Sequence, residues 1–401
     1  MAKLYLFTGV YPYTKNIECF LEDEIKRLSR CFDTIVVVPT RGGDFKRAVP
    51  SNCIVTEPVF PKPLLFLLKG LYHRRSFNVV WRDFLDKDVY KSIKKFKVWV
   101  RGVLVTNNLL HSPIIKDIEK NLTDEDVSYY YWGKWSNVLS IYWGSKCKHV
   151  SRFHGAWDLW EEDYCDYAPF RSKLSKSLDA AVFISRKGAE YFAKKYPICR
   201  TVFCPLGSED FGVPEKGRTE IVSLVSCSSV YPLKRVDLIY DAVHQYAVIH
   251  PDKKIRWTHI GGGASFASLQ SQVGTNSLSN LEVRLYGSKT HDEVIDIYKN
   301  DSFDVFINLS TNEGVPVSIM EALSFDIPAV ATNVGATAEV VRDGSGILVS
   351  PNPTIDEVVS GIDIILNNNF NARDFWNSNY NAETNYMCFA NFLKSISNRI
   401  K

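Results

Sequence analysis

The chain has 401 residues, 45% of them hydrophobic and 23% charged, with a formal net charge of +3. This is the composition of folded globular domains, with length enough for two or three, and it excludes a disordered chain, a small stapled scaffold and a nucleic-acid binder coated in positive charge. The nine cysteines, at 19, 31, 53, 147, 165, 199, 204, 227 and 388, form no CxxC pair, which argues against a disulfide framework and a zinc ribbon. The first apolar run, Leu4–Thr8, is too brief for a signal peptide, and no apolar stretch approaches the roughly 18 residues of a membrane span. The expectation is a cytoplasmic, non-spanning protein with reduced thiols.

Short β-rich runs alternate with helical patterns from end to end, the mark of parallel α/β architecture. In the first half, strands are expected at 4–8, 34–39, 128–132, 149–153, 180–185 and 201–204. A helix is expected over 18–30, where Phe20, Leu21, Ile25 and Leu28 recur at helical spacing. Residues 62–101 break the alternation with eleven basic residues against three acidic ones, a surplus of eight. Phe66, Leu67, Leu71, Tyr72, Trp81, Phe84, Ile93, Phe96, Trp99 and Val100 are interleaved with these charges. The mixture is that of a basic amphipathic surface resting on anionic lipid, the alternative being a solvated helical face whose apolar side is core. A join rich in Gly, Pro and charge is expected at 207–218. Strands then follow at 221–227, 255–260, 281–286, 305–309, 329–332 and 347–349. A helix over 355–366, a polar Asn-rich loop and a last helix over 382–396 complete the chain.

The stretch 305–334, VFINLSTNEGVPVSIMEALSFDIPAVATNV, carries the most chemical information. A buried strand runs into a polar turn containing Gly314, and Pro316 sits where a helix can begin, because its missing N–H is not needed in the first turn. Strand, Gly-containing turn and helix N-terminus make an anion-binding arrangement, in which the N–H groups of Gly314, Val315 and Val317 face a phosphate. Glu321 lies about one and a half turns into that helix and Glu313 precedes it, so both carboxylates can face one cleft. Carboxylates repel a bare anion but accept hydrogen bonds from a vicinal diol. A nucleotide sugar supplies both kinds of group.

The residues 313–341, EGVPVSIMEALSFDIPAVATNVGATAEVV, resemble the retaining glycosyltransferases of family 4, which have the GT-B fold. The family's first Glu, backbone donors and second Glu match Glu313, the run Gly314, Val315, Pro316 and Val317, and Glu321. The likeness continues in YPLKRVDLIYDAV (231–243) and LYGSKTHDEVIDIY (285–298), and more loosely in YPYTKNIECFLEDEI (11–25) and RFHGAWDLWEED (152–163). The wording is similar to that of bacterial members that build capsular or surface polysaccharide.

The resemblance implies two Rossmann-like domains facing across a cleft: an acceptor-binding domain over 1–206, a linker over 207–218, a nucleotide-sugar domain over 219–380, and a terminal helix at 381–401 packing back on the first domain. It implies that Lys234 and Arg235 neutralise the donor diphosphate, Glu321 holds the ribose, Glu313 holds the donor sugar hydroxyls, Gly287 and Ser288 border the base, and His154 lies near the donor sugar. Glu313, His154 and Lys234 are the implied catalytic set. Ser229 stands where the family often has an arginine, and the first loop, 9–16, lacks the family's Gly-Gly pair. No metal-ligand cluster appears, so a metal-independent reaction without cofactor is expected, with leaving-group charge met by Lys234 and the helix terminus. The function so implied is retaining transfer of a hexose from a nucleoside diphosphate sugar to a glycan or lipid-linked acceptor, the anionic inner face of the cell membrane being a further partner through 62–101. The alternatives are a nucleotide-sugar epimerase on the same fold and an inactive glycosyltransferase-like protein that binds without turnover.

Overall fold

The computed structural model describes every residue except 1, 15–16, 19, 61, 215–219, 343 and 398–401. Position 19 of the expected first helix, positions 215–218 of the expected join and the last four residues of the terminal segment lie outside the described residues. The chain forms two compact units, one from residues 1–205 with 386–401 and one from residues 206–385.

The first unit is built on a seven-stranded parallel sheet: β1 (Leu4–Thr8), β2 (Ile35–Pro39), β3 (Cys53–Val55), β4 (Val127–Tyr130), β5 (Lys148–Phe153), β6 (Ala180–Phe183) and β7 (Thr201–Phe203), in the order β3-β2-β1-β4-β5-β6-β7. The second unit has a six-stranded parallel sheet: β8 (Ile221–Cys227), β9 (Lys254–Ile260), β10 (Leu281–Leu285), β11 (Val305–Asn308), β12 (Ala329–Thr332) and β13 (Gly346–Val349), in the order β10-β9-β8-β11-β12-β13. Every residue of β1, β4, β6, β11 and β12 is buried, which is why these strands read as unbroken apolar runs. In each sheet the strand order reverses at one point, between β1 and β4 and between β8 and β11. Open α/β sheets bind ligands at the carboxyl edge of that reversal.

Residues from Tyr386 onward belong to the first unit. Phe389, Ala390 and Leu393 are buried in the same core as Leu4, Leu6 and Val127. The Phe389 ring lies 5.0 Å from that of Tyr129, with the guanidinium of Arg152 over it at 4.2 Å. Arg152 is wholly buried and is paired with the equally buried Glu24.

Three expectations need correction. The first helix spans Leu21–Cys31, and Glu18 stands outside it with φ 57, turned to serve the loop after β1. The three-residue strand β3 was not expected, being short, only partly buried and without alternation. Residues Ala372–Asn379 form a helix where an Asn-rich loop was expected, because Asn371 caps it by accepting the Asp374 N–H and Trp376 is buried with its indole donating to Ser208 Oγ at 2.8 Å.

Candidate active site

In the second unit, the loops after β8 and β11 meet at the strand-order reversal. Thr311 N–H donates to Leu233 O at 2.8 Å, joining the two loops. Lys234 Nζ lies 2.5 Å from Glu313 Oε1, and Asn308 Nδ2 is 3.4 Å from the same oxygen. The turn that carries Glu313 is pressed from behind by Gly335, whose φ is 55 and where a Cβ would fall 1.7 Å from Glu313 O. Only glycine fits so close an approach in that conformation. Ala336 N–H then donates to Gly314 O at 3.1 Å, fixing the turn from the other side.

The helix after this turn is Val317–Ser324, and Pro316 is its N-cap with ψ 100 rather than its first helical residue. Pro316 O accepts from Ile319 and Met320. Among the described residues, the N–H groups of Gly314, Val315 and Val317 meet no acceptor within the protein. Free amides at the positive end of a helix are ready partners for an anion. Glu321, buried in the second turn, accepts a 2.9 Å contact from His291 Nε2. His291 opens the helix His291–Asn300, whose capping box joins Thr290 and Glu293. The sequence reading missed His291, although the T-x-x-E signature of that box already placed it in a first helical turn.

Arg235 does not reach outward with Lys234. It sits at φ 48, its Nε donating to Leu309 O at 2.6 Å and its Nη2 to Ser310 O and Pro351 O at 3.1 and 2.7 Å. The expected diphosphate ligand is instead spent on carbonyls, holding the β11 loop to the loop after β13. Gly287, at φ 66, accepts from Gly261 N–H at 2.9 Å, and Ser288 packs so closely on Gly262 that a Cβ there would meet its Oγ at 2.5 Å. The glycine run 261–263 therefore lets the loops after β8, β9 and β10 approach one another at this edge. Behind them, burial pulls the His259 imidazole down to about 4, so it is neutral where it meets Ser226 Oγ.

His154 belongs to the first unit, after β5. Its ring packs against those of Tyr131 and Trp132, at 4.7 and 4.5 Å, and Nδ1 is 3.6 Å from Asp158 Oδ2. Asp158, almost wholly buried, also accepts the backbone N–H groups of His154 and Gly133 at 3.0 Å. It lies within the 152–163 motif, where nothing in the sequence singles it out. In the same unit, the Glu18 carboxylate accepts N–H bonds from Gly9, Val10 and Tyr11 at 2.7, 2.8 and 2.6 Å and a further one from the Trp132 indole.

The basic segment forms helices Pro63–Gly70, Phe77–Asp86 and Ile93–His111. Val79 and Val103 turn into the core, while Leu68, Leu71 and Ile93 are 61, 71 and 69% exposed and Trp81 is half exposed. Among the described residues, no helix is long and apolar enough to cross a membrane, and no group of three His, Cys, Asp or Glu side chains could hold a metal ion.

Residues 209–382 match the family model described as glycosyl transferases group 1. Among curated proteins, the chain is 27% identical over 145 residues to a phosphatidylinositol N-acetylglucosaminyltransferase component of Arabidopsis thaliana, covering 36% of this chain and 31% of that one. It is 32% identical over 122 residues to an uncharacterized glycosyltransferase of Methanocaldococcus jannaschii, covering 30% and 32%. The chain thus spans about a third of the length of these relatives. Among solved structures, the Anabaena protein HepE in complex with UDP superposes with a TM-score of 0.66 at 15% identity, over 98% of this chain and 100% of that one. The lipopolysaccharide outer core galactosyltransferase WaaB does so with a TM-score of 0.65 at 13% identity, over 98% and 99%. The fold is that of the GT-B glycosyltransferases, and residues 209–382 match the model of glycosyl transferases group 1.

Proposed function

We propose that this protein is a retaining glycosyltransferase that moves a hexose from a nucleoside diphosphate sugar to a hydroxyl of a glycan or lipid-linked acceptor in surface polysaccharide biosynthesis. The observation that carries the reading is the pairing of two carboxylates with two basic side chains, Glu313 with the Lys234 ammonium and Glu321 with the His291 imidazole, around the free amides that open the helix Val317–Ser324. An ion pair at an anion site is a poised exchange: an arriving diphosphate carries more charge than Glu313 and competes for Lys234. Glu313, released, accepts from the donor sugar hydroxyls near the reacting carbon, and Glu321 accepts from the ribose. The amides of Gly314, Val315 and Val317 take the distal phosphate, where charge develops as the glycosidic bond breaks. Gly287 and Ser288 border the base. The departing phosphate oxygen takes the acceptor proton, so that neither a metal nor a separate protein base is required.

The likeness to proteins whose structures were solved with UDP or UDP-glucose and to N-acetylglucosaminyltransferases supports a nucleotide sugar as donor. The exposed apolar side chains Leu68, Leu71, Trp81 and Ile93, set among the lysines of 62–101, support a peripheral place on an anionic cytoplasmic membrane face. Thermal unfolding against a panel of nucleotide sugars tests the reading, since a ligand of the folded state raises stability by mass action. One donor should raise the midpoint of the wild type but not of Glu321→Ala. No shift with any nucleotide sugar overturns the proposal.

A further inference from the structure

The first unit contains a cavity of about 460 Å³. It opens at the carboxyl edge of the first sheet, with Arg41 two residues beyond β2 and Gly133 three beyond β4, flanking that sheet's own strand-order reversal. The helix Ile93–His111 forms one wall through Arg101 and Val105, and Phe170 and Leu174 contribute apolar surface. Four cationic side chains, Arg41, Arg101, Lys134 and Arg171, line it, and among the described residues no carboxylate does.

Three details of these side chains point to an anion. Arg171 is 3% exposed; its Nη2 donates to Asp158 O at 2.8 Å, but Nη1 is buried with no acceptor in the protein. A buried donor left unmade is costly and marks a place where an oxygen is wanted. The Arg101 guanidinium lies over the Trp135 ring at 4.7 Å, which orients it beside the cavity. Burial, with the charges of Arg171 and Arg101 beside it, pulls the Lys134 ammonium down to about 8 against the opposing pull of Asp158 and Asp163. An anion bound among these groups gives Nη1 of Arg171 the acceptor it lacks and favours the charged form of Lys134.

A carboxylate brings one charge, whereas a phosphate monoester brings nearly two and three acceptor oxygens, matching Arg forks and a lysine together. The apolar walls of Val105, Phe170 and Leu174 have no use for a free inorganic ion, but they suit hydrocarbon joined to the phosphate. We propose that this cavity binds the phosphate-bearing end of an amphiphilic acceptor, with Arg101, Lys134 and Arg171 on the phosphate oxygens and the adjoining hydrocarbon against Val105, Phe170 and Leu174. That the ligand is the acceptor rests on the transferase reading; the phosphate site itself does not.

Calorimetric titration of the full chain with octyl phosphate, octyl glucoside and inorganic phosphate tests this. Octyl phosphate should bind at least tenfold more tightly than either of the others, and Arg101→Gln and Lys134→Gln should each weaken it about 10- to 150-fold, the value of a charged hydrogen bond. At pH 8.5 binding should take up protons, read from heats in buffers of different ionisation enthalpy, and Lys134→Gln should abolish that uptake. UDP affinity, measured on the same samples, should be unchanged by both substitutions, which also shows that they fold. Equal binding of octyl phosphate and octyl glucoside, equal binding of inorganic phosphate, or indifference to both substitutions overturns the proposal. A chain that binds octyl phosphate as expected but no nucleoside diphosphate instead sinks the transferase reading and leaves the phosphate site standing.

Discussion

Lys234 Nζ and Glu313 Oε1 stand 2.5 Å apart, on loops that follow the neighbouring parallel strands β8 and β11. Lys234→Ala should nearly abolish transfer, because Ser229 supplies no second cation and Arg235 is committed to carbonyls. Glu321→Ala should weaken donor binding and Glu313→Ala should chiefly lower kcat, each by about 10- to 150-fold. Steady-state kinetics with product inhibition by the nucleoside diphosphate separate these effects; normal donor affinity in Lys234→Ala would place the diphosphate elsewhere.

Arg235→Ala should act on stability. The substitution leaves the carbonyls of Leu309, Ser310 and Pro351 without their shared donor and costs about 2–3 kcal/mol, which lowers Tm by about 5–10 °C. Arg235→Lys should recover little of it, since an ammonium cannot serve three carbonyls from a planar fork. Differential scanning calorimetry reads the outcome, and an unchanged Tm in Arg235→Ala would refute the bracing role.

Asp83 gives a pH dependence. Burial pushes its carboxyl up to about 6 even though Tyr167 OH and Phe170 N–H donate to it. The folded state therefore holds this proton more tightly than the unfolded state, whose carboxyl titrates near 4. The group's contribution to stability is full below about pH 4 and is lost as pH rises through 6, amounting to about 3 kcal/mol. Relative to wild type, Asp83→Asn should be more stable at pH 7 than at pH 4.5 in urea unfolding. A difference that does not vary with pH contradicts the assignment.

The helices of 62–101 should bind anionic liposomes and release them at high salt, each basic residue near the surface contributing about 1 kcal/mol. Replacing Lys91, Lys94, Lys95 and Lys97 by Gln should greatly weaken co-sedimentation, and Trp81→Ala should weaken it further. Binding untouched by the four replacements returns the segment to an ordinary solvated face.

Much of the architecture was legible because buried parallel strands are near-continuous apolar runs: β8 and β12 fall on the expected residues, and most others differ by one or two. The Asn-rich segment was misread because its asparagines are terminators, Asn368 closing one helix and Asn371 opening the next, so a composition suggestive of a loop marks two helix ends. Glu313, Glu321 and the amides between them were visible as spacing. The fate of Arg235 was not, since a positive φ and three carbonyl partners from two loops are settled by tertiary structure alone. His291 escaped notice because an exposed histidine in a polar helix looks like solvent-facing surface until its partner, thirty residues away, is placed.

Glu18 carries a consequence for the first sheet. Its carboxylate fills a cradle of three successive amides at the end of β1, and Gly9 is small enough that the chain can wrap it, a Cβ there falling 2.9 Å from Oε1. Three convergent N–H groups at such an edge are otherwise a receptor for phosphate. The protein has in effect brought its own anion and left it permanently in place. A solute phosphate would have to displace a tethered competitor whose effective concentration no free ligand matches. The end of β1 is thereby closed to a free anion by occupation, without any repelling wall.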